Sequence, residues 1–229
     1  AQGLEVIIAS NGGVYCDTLA QYGIKHYKVP LHNKDPRNML KSYQALKRIL
    51  REEHIDIIHA HARIPGFICG ILSRQLDLPF VTTCHGTYSL KGISLYVTNW
   101  GQKSLAVSND IKDYLTQNYH VPEQNVLVTI NGIDTTAFSS KTMDPTLEKE
   151  LGLRPEAQRI LLLGRMNTDA AAGYATKMMK LYPTLRQKHP HLQFILVGDG
   201  PLFPQLKAQA EQVNQNCGAG SIVMTGGRT

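Results

Sequence analysis

Short apolar runs rich in β-branched residues recur along the chain, at residues 4–9, 55–58, 80–83, 104–107, 125–130, 160–163, 194–197 and 222–224. Most are continuous rather than alternating, which is the pattern of parallel strands covered on both faces. Between them the apolar period lengthens to that of a helix. Met39, Tyr43, Leu46 and Leu50 fall at offsets of four, three and four, and Phe203, Leu206, Ala210 and Val213 at three, four and three. Each set predicts one helical stripe. Alternating strands and helices predict a doubly wound α/β architecture. The alternation breaks between about Asp134 and Pro155, a polar and turn-prone stretch with no strand-like run. A domain boundary is expected there, giving residues 1–138 and 139–229 as two domains. No fixed short repeat marks a solenoid.

Open parallel sheets bind ligands beyond the carboxyl ends of their strands, so residues just after strands are the candidates. In VGDGP, Val197 to Pro201, Gly198 and Gly200 flank Asp199 and allow a tight turn and a close backbone approach to a ligand. Pro201 suits a first helical position, and the helix that follows would offer free N–H groups to an anion. The pentapeptide fits an ordinary strand-to-helix turn equally well, and one Gly-x-Gly is not the dinucleotide fingerprint. LLLGR repeats the plan, with Gly164 and Arg165 after a strand read as buried. A guanidinium there can hold a diphosphate through two parallel hydrogen bonds, or it is a plain surface arginine.

His85 closes PFVTTCH and should stand at the mouth of the first sheet, as a hydrogen-bonding group, an acid or base, or a structural residue. The period-two spacing of His59 and His61 puts both on one strand face, but no third ligand follows at a zinc-like spacing, so no metal is expected. Ser108 is placed as a helix N-cap. Asn131-Gly132 reads as a turn first, and as a hinge or cleft wall second.

Composition narrows the classes. The chain has 229 residues, 42% hydrophobic and 18% charged, as a folded globular protein does. Its net charge of +6 is uneven: residues 1–150 hold 15 Lys+Arg against 14 Asp+Glu, and residues 151–229 hold 9 against 4. The basic second part suits a phosphorylated small molecule or an anionic membrane face; without dense basic runs interleaved with aromatics, nucleic acid is not expected. Cys16, Cys69, Cys84 and Cys217 are scattered, as reduced thiols of a cytoplasmic protein would be. No run approaches a membrane span and the first residues do not read as a signal peptide, so any membrane contact is expected to be peripheral.

In order, HAH at His59 to His61, TTCHG at Thr82 to Gly86, AVSND at Ala106 to Asp110, NVLVTINGID at Asn125 to Asp134, LLLGR at Leu161 to Arg165, FILVGDGP at Phe194 to Pro201 and IVMTGG at Ile222 to Gly227 form a series. The series closely resembles the retaining glycosyltransferases of family 4. The resemblance implies two Rossmann-like domains facing a cleft, the GT-B fold, both incomplete here. It implies that the second domain binds a nucleotide sugar and the first helps to bind a saccharide or lipid-linked acceptor, with no cofactor and no metal. His85 would match the family's histidine beside the transferred sugar, with His59 and His61 on the acceptor side. Arg165 would hold the donor diphosphate. Gly198, Asp199 and Gly200 would line the donor pocket, Gly226 would approach the base, and Asn131 would lie in the cleft.

Three departures accompany the likeness. Five residues after the diphosphate arginine the family has a lysine, where this chain has Ala170. The chain begins at what resembles the family's second strand, and it stops at Thr229, before the family's acidic donor motif. The expected function is hexosyl transfer with retained configuration, at the cytoplasmic face of a membrane. The alternatives are a noncatalytic nucleotide- or sugar-binding relic and another GT-B enzyme, such as a nucleotide-sugar epimerase or a phosphorylase.

Overall fold

The computed structural model describes residues 3–32, 35–88, 90, 97–167 and 169–228, with the side chains of residues 169–171 excepted. The chain divides into two compact units, Ala1–Asp134 and Thr135–Thr229.

The first unit runs β1 (Ile7–Ser10), α1 (Cys16–Gln21), β2 (Lys25–Lys28), α2 (Pro36–Glu52), β3 (Ile58–Ala60), α3 (Arg63–Leu76), β4 (Phe80–Cys84), β5 (Lys103–Ala106), α4 (Asn109–Tyr119) and β6 (Val126–Val128). All pairings are parallel. β1 pairs with β2, and a separate four-stranded sheet has the order β3-β4-β5-β6. The sequence suggests one open sheet on this side, whereas no described strand joins β1 to β3. What joins the two sheets is a shared core, in which Ala9, Tyr27 and Val29 pack with Leu46, Ile49 and Leu50 of α2, Ile68 and Leu72 of α3, and Ile58 and Phe80. A second cluster holds β4 to β6 against α4 through Cys84, Ala106, Ile111, Leu115 and Val126.

Local chemistry fixes the ends of these helices. Asp35 accepts from the N–H groups of Arg37 and Asn38, and Pro36 stands where a missing N–H costs nothing, so α2 starts cleanly. Ser108 accepts from the Ile111 N–H at 3.3 Å, the N-cap expected of it. β2 escapes the hydrophobic pattern because KHYK has no apolar run; its exposed lysines flank the half-buried His26 and Tyr27.

The second unit holds α5 (Pro145–Glu150), β7 (Gln158–Leu163), α6 (Asp169–Lys188), β8 (Leu192–Val197), α7 (Phe203–Cys217) and β9 (Ile222–Gly226), with a parallel sheet of order β7-β8-β9. Met179 and Tyr182 of α6 and Leu206 and Ala210 of α7 bury the face bearing Phe194 and Leu196, with Leu162 and Met224 packed against it. β8 is almost wholly buried, as read. β7 is not: Ile160 is 45%, Leu161 58% and Leu163 71% exposed, because β7 is an edge strand, whereas β8 beside it is buried on both faces. Pro201 also differs from its reading. The helix begins at Phe203, so Pro201 lies in the preceding turn and Pro204 takes the early helical position.

Candidate active site

In each unit the strands deliver the sequence-marked residues to their carboxyl ends. In the first, the parallel register sets Ala60 beside Thr82 and His59 beside Val81. The odd-numbered residues His59, His61, Thr83 and His85 therefore share one side of the strand ends. His59 Nε2 lies 2.8 Å from Thr83 Oγ1, and His61 Nδ1 lies 3.0 Å from His85 Nε2. The imidazoles form a row, with centroids 4.2 Å apart for His59 and His61 and 5.3 Å for the stacked pair His61 and His85. All three are exposed at their edges.

Loss of water around the rings lowers the affinity of His59 and His61 for a proton, and the neighbouring imidazoles lower it further: His85 for His59, and His59 then His85 for His61. In the His61–His85 contact one ring nitrogen donates and the other accepts, so at least one of the pair is neutral. Among the described residues no group of three or more His, Cys, Asp or Glu side chains is arranged to hold a metal ion.

Behind the row the structure adds residues that no motif marked. Arg63, the first residue of α3, sets its guanidinium 5.3 Å from the centre of the Tyr88 ring, and its buried Nε has no hydrogen-bond partner. The segment after His85 is fastened by Tyr114, whose hydroxyl accepts from the Tyr88 N–H at 2.9 Å and donates to the Tyr88 carbonyl at 2.7 Å. Cys84 is buried beneath it, and burial raises its thiol pKa. Arg63 and Tyr114 lie far from His85 in sequence, and nothing in their neighbourhoods flags them.

In the second unit the strand ends present backbone. The loops after β7, β8 and β9 are laced together: the Gly164 N–H donates to the Val197 carbonyl at 3.0 Å, Met166 to Asp199 at 2.9 Å, Gly198 to Gly226 at 3.0 Å and Leu202 to Met166 at 3.0 Å. Glycine is required here by the neighbouring loop. A Cβ on Gly198 would fall 1.8 Å from the Gly164 carbonyl oxygen, and one on Gly200 would fall 2.5 Å from that of Met166. Both residues also have positive φ, +142° and +152°. Asp199 turns back to accept from the Gly200 N–H at 2.7 Å.

Arg165 emerges from this lattice exposed, and it enters no ion pair among the described residues. Gly226 ends β9 with φ +75°. Ala170 lies in the first turn of α6. Asn131 is exposed after β6, shortly before Asp134 closes the first unit. The structure thus groups His59, His61 and His85 in one unit, and Gly198, Asp199, Gly200, Gly226 and Arg165 in the other.

The chain is 25% identical over 181 residues to UDP-Gal:alpha-D-GlcNAc-diphosphoundecaprenol alpha-1,3-galactosyltransferase of Escherichia coli, an alignment covering 73% of this chain and 46% of that protein. A glycosyltransferase from Rickettsia africae ESF-5 superposes with a TM-score of 0.79 at 22% identity, over 100% of this chain and 61% of its own. Anabaena HepE, solved in complex with UDP-glucose, superposes with a TM-score of 0.73 at 18% identity, over 97% and 61%. These superpositions establish the GT-B fold. The chain spans about half the length of the relatives it matches. The sequence profile of Glycosyltransferase Family 4 matches residues 1–137, and the chain belongs to that family.

Proposed function

We propose that this chain forms part of a glycosyltransferase that moves a hexosyl unit from a nucleotide-sugar donor to a saccharide or lipid-linked acceptor, with retained anomeric configuration. The observation that carries the reading is Arg165, an exposed cation with no ion pair among the described residues, beside a lattice of glycine loops at the end of a parallel sheet. Bare backbone at Gly198, Gly200 and Gly226 lets a planar base and a diphosphate come close, and Arg165 supplies charge as the diphosphate leaves. In this reading Asp199 and Asn131 complete the donor contacts. His85 stands beside the transferred sugar, and His59 and His61 line the acceptor side. The charge of Arg165 takes the part that a metal plays elsewhere, so the reaction needs no resident metal. The Escherichia coli relative, whose name specifies a UDP-galactose donor and a diphosphoundecaprenol-linked acceptor, supports the lipid-linked class; the proposed place of reaction is the cytoplasmic face of a membrane.

Calorimetric titration of the chain with UDP, GDP, ADP and dTDP, repeated with Arg165→Ala, tests the donor site. Saturable binding of one nucleotide, weakened at least tenfold by the substitution, is the expected result; equal binding by both proteins would remove Arg165 from the site. In the full-length protein Arg165→Ala should slow transfer by roughly 10²- to 10³-fold, the usual effect of deleting one electrostatic contact to a transition state. Ala170→Lys there should tighten donor binding. Product analysis separates transfer, which requires an acceptor, from epimerisation, which does not, and from phosphorolysis, which consumes inorganic phosphate.

A further inference from the structure

His85 lies one residue past the end of β4, beyond the last register pair of that strand, Cys84 with Ala106. It is exposed, so packing does not fix it either. The segment that carries it is held instead by side chains on both sides. On the strand side the buried Cys84 thiol donates to the Gly86 carbonyl at 3.2 Å. On the far side the Tyr114 hydroxyl serves both backbone groups of Tyr88, accepting from its N–H at 2.9 Å and donating to its carbonyl at 2.7 Å. That donation commits the Tyr114 proton, so in the 3.4 Å contact between the two hydroxyls Tyr119 is the donor. Tyr114 stands on α4, which is capped by Ser108 and seated through the buried Ile111 and Leu115. The Tyr88 ring is met from α3 by the Arg63 guanidinium at 5.3 Å. Arg63 has a buried Nε without a hydrogen-bond partner, and it enters no ion pair among the described residues. With no carboxylate beside it, the ring face is what compensates that cation, and such contacts strengthen as water is excluded.

We propose that Tyr114 and Arg63 are positioning residues for His85: by clamping Tyr88 from two helices they set the His85 imidazole against that of His61. The two grips differ. Tyr114 fixes the Tyr88 backbone, and Arg63 fixes its ring. Two residues, Gly86 and Thr87, separate Tyr88 from His85, so a displacement of Tyr88 is passed to the imidazole. The contact at stake is the 3.0 Å approach of His61 Nδ1 to His85 Nε2, which decides how the two rings share a proton. The purpose of the clamp rests on the reading above, in which His85 stands beside the transferred sugar; Tyr114 and Arg63 act through it. A reacting-site group misplaced by about 1 Å costs roughly 10²-fold in rate.

The test is NMR on the chain labelled at its histidine rings. In the parent, NOE cross-peaks should link His59 with His61, whose centroids are 4.2 Å apart, and His61 with His85, 5.3 Å apart. Tyr114→Phe removes the hydroxyl and keeps the ring that packs edge-on against Tyr119. It should lose the His61–His85 cross-peak and keep the other, with an unchanged circular dichroism spectrum. Arg63→Gln should do the same, and it decides the matter if Tyr114→Phe does not fold. A purely structural role would lower the urea midpoint and leave both cross-peaks in place. Retention of the His61–His85 cross-peak in either folded variant overturns the role of the residue replaced. Loss of both cross-peaks from a folded variant overturns it too, because the whole row and not His85 has then moved. In the full-length protein Tyr114→Phe should lower kcat by roughly 10²-fold with the KM for the nucleotide sugar unchanged; an unaltered kcat overturns the catalytic purpose of the clamp. Nucleotide titration of the parent keeps the two readings apart. Loss of the His61–His85 cross-peak in a chain that binds no nucleotide removes the donor reading and leaves the clamp standing, and the reverse outcome removes the clamp alone.

Discussion

Gly198→Ala tests the loop lattice of the second unit most directly. The added Cβ would stand 1.8 Å from the Gly164 carbonyl oxygen and 2.9 Å from its carbon, so relief requires a backbone shift of more than about 1 Å rather than a rotamer change. The shift would strain the bonds from Gly164 to Val197 and from Gly198 to Gly226, each 3.0 Å long. Weakening both costs about 1 kcal/mol apiece, and holding alanine at φ +142° adds roughly 1–3 kcal/mol. The expected loss is about 3–5 kcal/mol. With a urea slope of about 2 kcal/mol per molar, the midpoint should fall by roughly 1.5–2.5 M, followed by far-ultraviolet circular dichroism. Gly173→Ala is the control, since a Cβ at this α6 position meets nothing within 4 Å; it should be neutral or stabilise by about 0.5–1 kcal/mol. If Gly198→Ala unfolds at the same urea concentration as the parent, the packing of these loops is not as described and the claim that they admit only glycine fails.

Other expectations follow from the same geometry. Tyr182→Phe should cost about 1 kcal/mol in urea unfolding, because the buried hydroxyl donates to the Leu192 carbonyl at 2.7 Å but that carbonyl keeps the Arg154 guanidinium at 2.6 Å. In His85→Gln, an NMR pH titration should find the His59 pKa raised yet still below its ordinary value, since burial is the larger cause of its depression and His85 the smaller; a complete return would reverse that order. His59 and His61 bind protons more weakly when folded, so the unfolded chain protonates first, and stability should fall as the pH drops through the ordinary imidazole range. Glu53 is held low by Lys25, with which it pairs at 2.5 Å, and then by Tyr27, while Lys25 is itself held high by Glu53. That cluster stabilises above the carboxylate range and loses its effect as the pH falls through it, and at the alkaline end it is lost as Lys25 deprotonates. Glu53→Gln should therefore flatten both limbs of the stability profile, measured by thermal unfolding.

The strands that the sequence exposes are those whose burial makes them continuously apolar. β8, apolar without a break over residues 194–197, is the clear case and stands inside its sheet. β2 was hidden because its neighbours bury only His26 and Tyr27, and β7 looked buried because an apolar run does not reveal whether its second face is covered. The histidine row was half legible. Period two places His59 beside His61, but only the parallel register of β3 and β4 brings in His85 and Thr83, and register is a property of the assembled sheet. The glycines after β8 were legible as unusual backbone. Their immediate reason, the carbonyls of Gly164 and Met166, lies on another loop.

The two units use their strand ends differently, and the difference decides which substitutions each can bear. In the first, the strand ends carry imidazoles whose hydrogen bonds run side chain to side chain, so an isosteric replacement such as His61→Phe should keep the row packed while removing the acceptor or donor at Nδ1. In the second, the bonds run backbone to backbone among Gly164, Val197, Gly198 and Gly226, and no side-chain deletion can reach them. A ligand bound over the second lattice is gripped by N–H groups and by Arg165, whereas one bound at the histidine row meets His59 and His61, whose affinity for a proton burial lowers. Above the second ionisation of a terminal phosphate, at about pH 6, nucleotide affinity should accordingly be nearly flat, and its pH dependence should be the same in the parent and in His85→Gln, while turnover in the full-length protein should change as His59 and His61 take up protons. A nucleotide affinity that rose and fell with imidazole protonation, and that lost this dependence in His85→Gln, would move the donor to the first unit and reverse the assignment of the two sheets.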